Sequence, residues 1–227
     1  SSAASDVYKR QKVRCALNHQ NAGSIPVDFG STAVTGIHCR IVEALRNYYG
    51  LAPRPVKIVD AFQMLGEIDA ELAEKIGVDC IGIGGPKDIF DLDTTRMHEQ
   101  TTPWGQRVLV PEAMDLTPDM RGDVYVYAGG DQNYPPSAVM PKGCYFINAI
   151  ERQQPIEEDR LDPEDNVEEF GLLTENDLAY YCAEADKAYQ TGRAVVASFG
   201  GTALGDVAFV PGMGLKQPKG IRSVVEW

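Results

Sequence analysis

Several features are missing from this sequence. No apolar run approaches the ~18 residues that a membrane-spanning helix needs, and no segment reads as a signal peptide. Positive charge is scarce: 21 Lys and Arg stand against 33 Asp and Glu, giving a net charge of −12. Such a balance repels phosphate backbones and argues against nucleic acid as a partner. The five cysteines, Cys15, Cys39, Cys80, Cys144 and Cys182, include no Cys-x-x-Cys and no tight pairing. That pattern points to unpaired thiols in a reducing compartment rather than to a disulfide framework. A cytoplasmic protein with no membrane or nucleic-acid partner is expected. Histidine is limited to three positions, His19, His38 and His98, none spaced as a ligand to a nearby cysteine.

No methionine precedes Met64, and Asp6 to Gln11 resembles the translated end of a transposon adapter used in shotgun DNA libraries. Ser1 to Gln11 is therefore expected to be a non-native tail. At the other end, Ile221 to Trp227 is an apolar, helix-like run with no cap or breaker. The expectation is a gene fragment open at both ends, poorly stable and inactive alone, because an incomplete sheet leaves an edge and apolar faces uncovered.

What is present is most informative between Ile25 and Gly50. Ile-Pro-Val-Asp-Phe reads as a short strand ending at Asp28, followed by a small-residue loop that delivers His38 to a helix over Ile37 to Tyr49. Lys12 to Asn18 reads as a short helix, and Val56 to Val59 as an extended segment before Asp60. Phe62, Leu65, Ile68, Leu72 and Ile76 have helical spacing, closed by Gly77. Cys80 to Ile83 is a second apolar strand. Thr174 to Asp177 resembles a capping box at the head of another helix, which Gly192 ends, and Ala194 to Phe199 is a third buried strand.

Between these stretches, Pro86 to Gly171 is rich in Pro, Asp and Gly, with short β-like runs at Arg107 to Val110, Val124 to Tyr127 and Cys144 to Ile147. It reads as an insertion bearing a β-hairpin, with Trp104 as an anchor of that hairpin or a lining of a cleft mouth. Within it, Glu157 to Glu169 holds eight acids and one base, Arg160. A solvated surface loop explains this run better than a cation or partner site.

Helices alternating with short buried strands argue for parallel βα units. The expected fold class is α/β, a partial (β/α)8 TIM barrel comprising the N-terminal portion, with the inserted β-hairpin region at 86–171. A complete barrel needs roughly 250 residues, so about half is expected to be missing. A doubly wound open sheet is the alternative, without a Gly-x-Gly-x-x-Gly to support it.

The ordered series Ala16-Leu17-Asn18-His19, Ile25-Pro26-Val27-Asp28, Gly36-Ile37-His38, Val59 to Leu65, Gly77-Val78-Asp79, Trp104-Gly105, Ser198 to Gly201 and Pro211-Gly212-Met213 resembles the uroporphyrinogen decarboxylase superfamily, from about Lys12 to Trp227. The resemblance implies a (β/α)8 barrel with one of two activities. One branch decarboxylates uroporphyrinogen without a cofactor. The other moves methyl groups between corrinoid proteins and thiols such as coenzyme M, using a zinc-bound thiolate. The decarboxylase branch grips substrate carboxylates with an arginine-rich loop after its first strand. Here that loop, Gly30 to Gly36, has no arginine, and Gly-Ile-His looks like the methyltransferase-like branch. The zinc ligands of that branch, a His-x-Cys pair and a later Cys, are not found in this chain. Either that site belongs to the missing C-terminal half or this subgroup does without it.

The candidate catalytic residues are His38 and Asp28. His38 suits general acid/base work or a contact to substrate. Asp28 either meets substrate or accepts hydrogen bonds from the amides of its own loop. The candidate substrate-binding residues are Asp60, Gln63, Gly200, Gly201 and Asp206. Asp60 is also a candidate helix cap, and the two glycines suit a sharp turn or a close approach of backbone to ligand. Cys39, Cys80 and Cys182 sit on apolar faces and read as core, while His19 and His98 read as structural or exposed. The expected partner is a corrinoid protein or a small-molecule methyl donor or acceptor. The competing functions are decarboxylation of a tetrapyrrole or other small acid, and a non-catalytic binding barrel.

Overall fold

The structure is a computed structural model and describes residues 2–199 and 209–226. Its elements run α1 (Ser2–Leu17), α2 (Cys39–Tyr48), β1 (Val56–Asp60), β2 (Leu65–Gly66), α3 (Ala70–Ile76), β3 (Cys80–Ile83), β4 (Met97–Thr101), β5 (Arg107–Pro111), β6 (Val124–Val126), β7 (Ala138–Met140), β8 (Asn148–Ala149), α4 (Glu175–Gln190) and β9 (Ala194–Ala197). This is a mixed α/β chain, and no closed barrel forms among the described residues. It divides into two compact units: Ser1–Val59 with Leu65–Gly85 and Thr174–Gly201, and Asp60–Met64 with Pro86–Leu173 and Thr202–Trp227.

The first unit is organised by the parallel pair β3 and β9, in register from Cys80 opposite Ala194 to Ile83 opposite Ala197. A parallel pair needs a crossover and cover for its faces, and α1 and α4 both pack against it. α4 begins where its sequence says it should. Thr174 accepts from the Asp177 amide at 3.2 Å, and the Asp177 carboxylate accepts from the Thr174 amide at 2.9 Å. α3 starts at Asp69, whose carboxylate accepts from the amides of Glu71 and Leu72, and stops at Gly77 in the left-handed region, φ 83°.

Two buried ion pairs tie this unit together. Lys12 of α1 pairs with Asp79 just before β3, their side chains 10% and 2% exposed. The Asp79 carboxylate also accepts from the Val27 amide at 2.8 Å, its own amide donates to the Val27 carbonyl at 2.8 Å, and its carbonyl accepts from Ala194 at 2.8 Å. The other pair joins Arg46 of α2 to Asp69, with Arg54 also on Asp69 at 2.7 Å. Burial pushes the Asp69 carboxyl up, but the Leu72 amide and the two guanidinium groups outweigh it and hold it below the usual range. The residues read from sequence as a foreign tail are drawn into this unit. Lys9 pairs with Glu74, and Arg10 stacks on the Tyr189 ring at 3.8 Å and donates to the Tyr189 carbonyl at 2.6 Å.

Several expectations differ. Ile25 to Phe29 is not a strand. Pro26 lacks a donor, and the polar contacts of Val27 go to Asp79, one of them to a side chain instead of a ladder. The helix expected over Phe62 to Ile76 forms only from Ala70. Met64 takes φ 52°, a left-handed conformation that ends any helix, and Leu65–Gly66 becomes β2 beside β1. Cys182 is exposed rather than core, whereas Cys39 and Cys80 are buried.

In the second unit β4 and β5 form an antiparallel hairpin, from Met97 opposite Pro111 to Thr101 opposite Arg107. Trp104 lies at its tip and donates to Gln106 at 3.1 Å, with the Tyr145 ring 5.3 Å away. β6, β7 and β8 form an antiparallel sheet. Period-2 burial of Val108 and Val110, Val124 and Val126, and Ala138 and Met140 builds the core. The expected run Cys144 to Ile147 is not a strand; β8 follows it. The aspartates serve the turns between strands: Asp93, Asp115, Asp119 and Asp131 each accept from an amide two residues on.

Asp79→Ala should destabilise the first unit by about 3–5 kcal/mol, because it leaves the Lys12 ammonium buried and unpaired. Hydrogen exchange at the β3 and β9 amides measures this; protection unchanged from wild type refutes it. Gly82→Ala should cost about 1–3 kcal/mol by overpacking, since a Cβ there falls inside the Ser31 backbone. The same exchange experiment should show the loss spreading to residues 30–36.

Candidate functional site

Asp28 and His38 stand at the two ends of one loop in the first unit. The loop is closed by the Gly30 amide donating to the Thr35 carbonyl at 2.9 Å. Gly30, at φ 85°, sits against Ile68, where a side chain would collide, so glycine is required twice over. The Asp28 carboxylate accepts from the Ser31 hydroxyl at 2.7 Å, the Ser31 amide at 3.3 Å and the Thr35 hydroxyl at 3.4 Å. The acceptor capacity of Asp28 is thus directed at its own loop. Gly82 lets the Ser31 backbone lie directly against β3.

His38 is the N-cap of α2, and its Nδ1 accepts from the Arg40 amide at 3.2 Å. In a neutral ring this puts the proton on Nε2 and makes that nitrogen the donor. Cys39 Sγ lies 3.8 Å from Nδ1. Burial pushes the Cys39 thiol up to about 12, and burial with the nearby Asp28 and Asp79 carboxylates raises Cys80 to about 11. Neither thiol is disposed to ionise near neutral pH.

Asp60 and Gln63 belong to the second unit and share a tight turn: the Gln63 amide donates to Asp60 at 2.8 Å. Asp60 therefore caps a turn and not the helix its position suggested. Gly200, Gly201 and Asp206 lie outside the described residues. His19, at φ 56°, is exposed, and His98 pairs with Gln100 at 2.7 Å inside the β4–β5 hairpin.

Sequence reasoning missed Asp88. One of its oxygens accepts from Phe90 at 2.9 Å and Leu92 at 3.0 Å, while the other is buried without a partner among the described residues. Burial, with Asp60 and Asp91 adding to it, raises this carboxyl to about 6. The alternation Asp88, Ile89, Phe90, Asp91, Leu92, Asp93 was the available signal, since acids interleaved with apolar residues in a loop bring carboxylates toward a core.

Zinc needs three or four nitrogen and sulfur donors at one point, with the thiols ionised. Among the described residues no three His, Cys, Asp or Glu side chains gather in that way. Cys39 is held as a thiol and His38 Nδ1 is committed to the Arg40 amide. These donors do not fit the zinc site that the resemblance implies. The chain matches no protein-family model, no curated protein and no solved structure.

Asp88 yields a pH prediction. Its folded value of about 6 lies above the ~3.9 of an unfolded aspartate, so between these values the folded chain holds the extra proton. The stability it contributes is present below about pH 4 and is lost as pH rises through 6. Asp88→Asn should therefore stabilise the second unit by about 1–2 kcal/mol at pH 7 relative to its effect at pH 4. Exchange protection of the Phe90 and Leu92 amides at the two pH values checks this; an equal effect at both removes the argument.

Proposed function

We propose that this chain is the N-terminal portion of a (β/α)8 barrel enzyme of the uroporphyrinogen decarboxylase superfamily, of its methyltransferase-like branch, and that it moves a methyl group between a corrinoid protein and a thiol. The observation that carries this reading is the loop from Asp28 to His38. It is held closed by Asp28, Gly30 and Thr35, seated against β3 at Gly82, and ends at an imidazole on a helix N-cap. The loop has no guanidinium to fix a substrate carboxylate, which weighs against decarboxylation of a polycarboxylic tetrapyrrole. The parallel β3–β9 pair, each strand preceded by a helix, is of the kind such a barrel uses. In this reading Asp28 orders the loop, and the His38 ring makes a polar contact to the substrate.

The test is transfer from methylcobalamin to coenzyme M by the longest protein the gene encodes, followed by the cobalamin absorption spectrum and by mass detection of the thioether. His38→Asn keeps an acceptor at the helix N-cap, so it separates the ring's chemistry from the cap. Turnover should fall at least about tenfold, the loss of one directional hydrogen bond, with the melting temperature little changed. Unchanged turnover refutes the role of His38, and no thioether from the unmodified protein favours the non-catalytic barrel.

A further inference from the structure

We propose that the second unit carries a binding groove for a small carboxylate with an apolar body, between residues 153–161 and 219–221. The groove is open to solvent and offers about 310 Å³, at the small end of the ~300–1,000 Å³ typical of small-molecule sites. Pro155, Ile156, Leu161 and Ile221 supply apolar walls, Arg160 lies beside its partner Glu157, and Lys219 supplies the cation.

The walls are cross-linked before any ligand arrives. Gln153 Oε1 accepts from the amides of Arg222 at 2.5 Å and Ser223 at 3.0 Å, and Asn166 Oδ1 accepts from the Ile221 amide at 2.6 Å. The Arg222 guanidinium, 3% exposed, pairs with Glu168 at 2.9 Å and Glu169 at 3.1 Å and donates to the Asp165 carbonyl at 2.8 Å. Gly220 passes so close to Asn166 and Asp165 that no Cβ fits. A groove set in this way loses little freedom on binding.

Charge then selects the ligand. The surrounding segment is acidic, but Glu168 and Glu169 are spent on Arg222, and Glu157, which also lines the groove, pairs with Arg160 at 2.8 Å. Lys219 is exposed and has no ion-pair partner among the described residues. A carboxylate on Lys219, with its apolar body against Ile156, Leu161 and Ile221, satisfies both halves of the lining. The net charge of −12 opposes anions at a distance; salt screens that repulsion beyond about 8 Å at physiological ionic strength, leaving the short contact.

Octanoate is the probe, with octylammonium as the control of opposite charge, each titrated into the intact chain and followed by amide chemical shifts. Octanoate should give saturable shifts at Gln153, Ile156, Lys219 and Ile221, and octylammonium should not. Lys219→Glu, at an exposed position, should leave the melting temperature little changed and weaken octanoate by at least about tenfold, because it removes one charge-assisted contact and sets a carboxylate in its place. Three results overturn the proposal: no saturable shifts with octanoate, octylammonium binding as tightly as octanoate, or unchanged octanoate affinity in Lys219→Glu.

Discussion

The buried pairing of Lys12 with Asp79 is the constraint on which the first unit depends. A carboxylate 2% exposed is tolerable only when it is paired with a cation and hydrogen-bonded. Asp79 answers to the Lys12 ammonium and the Val27 amide with its side chain, and to Val27 and Ala194 with its peptide. One residue thereby registers a helix, an irregular segment and both strands of the parallel pair. The loop from Asp28 begins one residue after Val27, so the position of the candidate site follows from the same point.

Carboxylates do different work according to what each one meets. In the first unit, Asp69 and Glu74 face cations and are held below their ordinary range. Glu74 owes this chiefly to its hydrogen bond from Lys9. Those groups stabilise above the carboxylate range and are lost in acid. In the second unit Asp88 faces apolar residues and other acids, so its contribution has the opposite sign. The acidic composition is thus not one property but two, decided by what each carboxylate meets.

How much of the candidate site could be read in advance depended on how local its contacts are. The Thr174–Asp177 capping box, the Gly77 stop and the approach of His38 to a helix N-terminus involve residues within a few positions of one another, and the pattern announces them. Asp28 was legible as a choice between substrate and loop, and its partners Ser31 and Thr35 are again near neighbours. The spacing of Phe62, Leu65, Ile68, Leu72 and Ile76 misled because periodicity does not register a left-handed residue such as Met64. Ile25 to Phe29 misled because an apolar run does not reveal whether its amides meet a strand or a side chain.

By itself the sequence determined the α/β character, the shortage of cations that disfavours nucleic acid, the helix caps, and an arginine-free loop leading to His38. Each of these follows from composition or from contacts between near neighbours in the chain. Tertiary structure alone decided that Lys12 would meet Asp79, that Gly82 would yield its space to Ser31, that Asp88 would be buried with one oxygen unpaired among the described residues, and that Arg222 would lock the walls of a groove. In each case a charge or a missing Cβ acquires its meaning from a neighbour that folding brings near: a distant residue for Lys12, Gly82 and Arg222, and the surrounding apolar packing for Asp88.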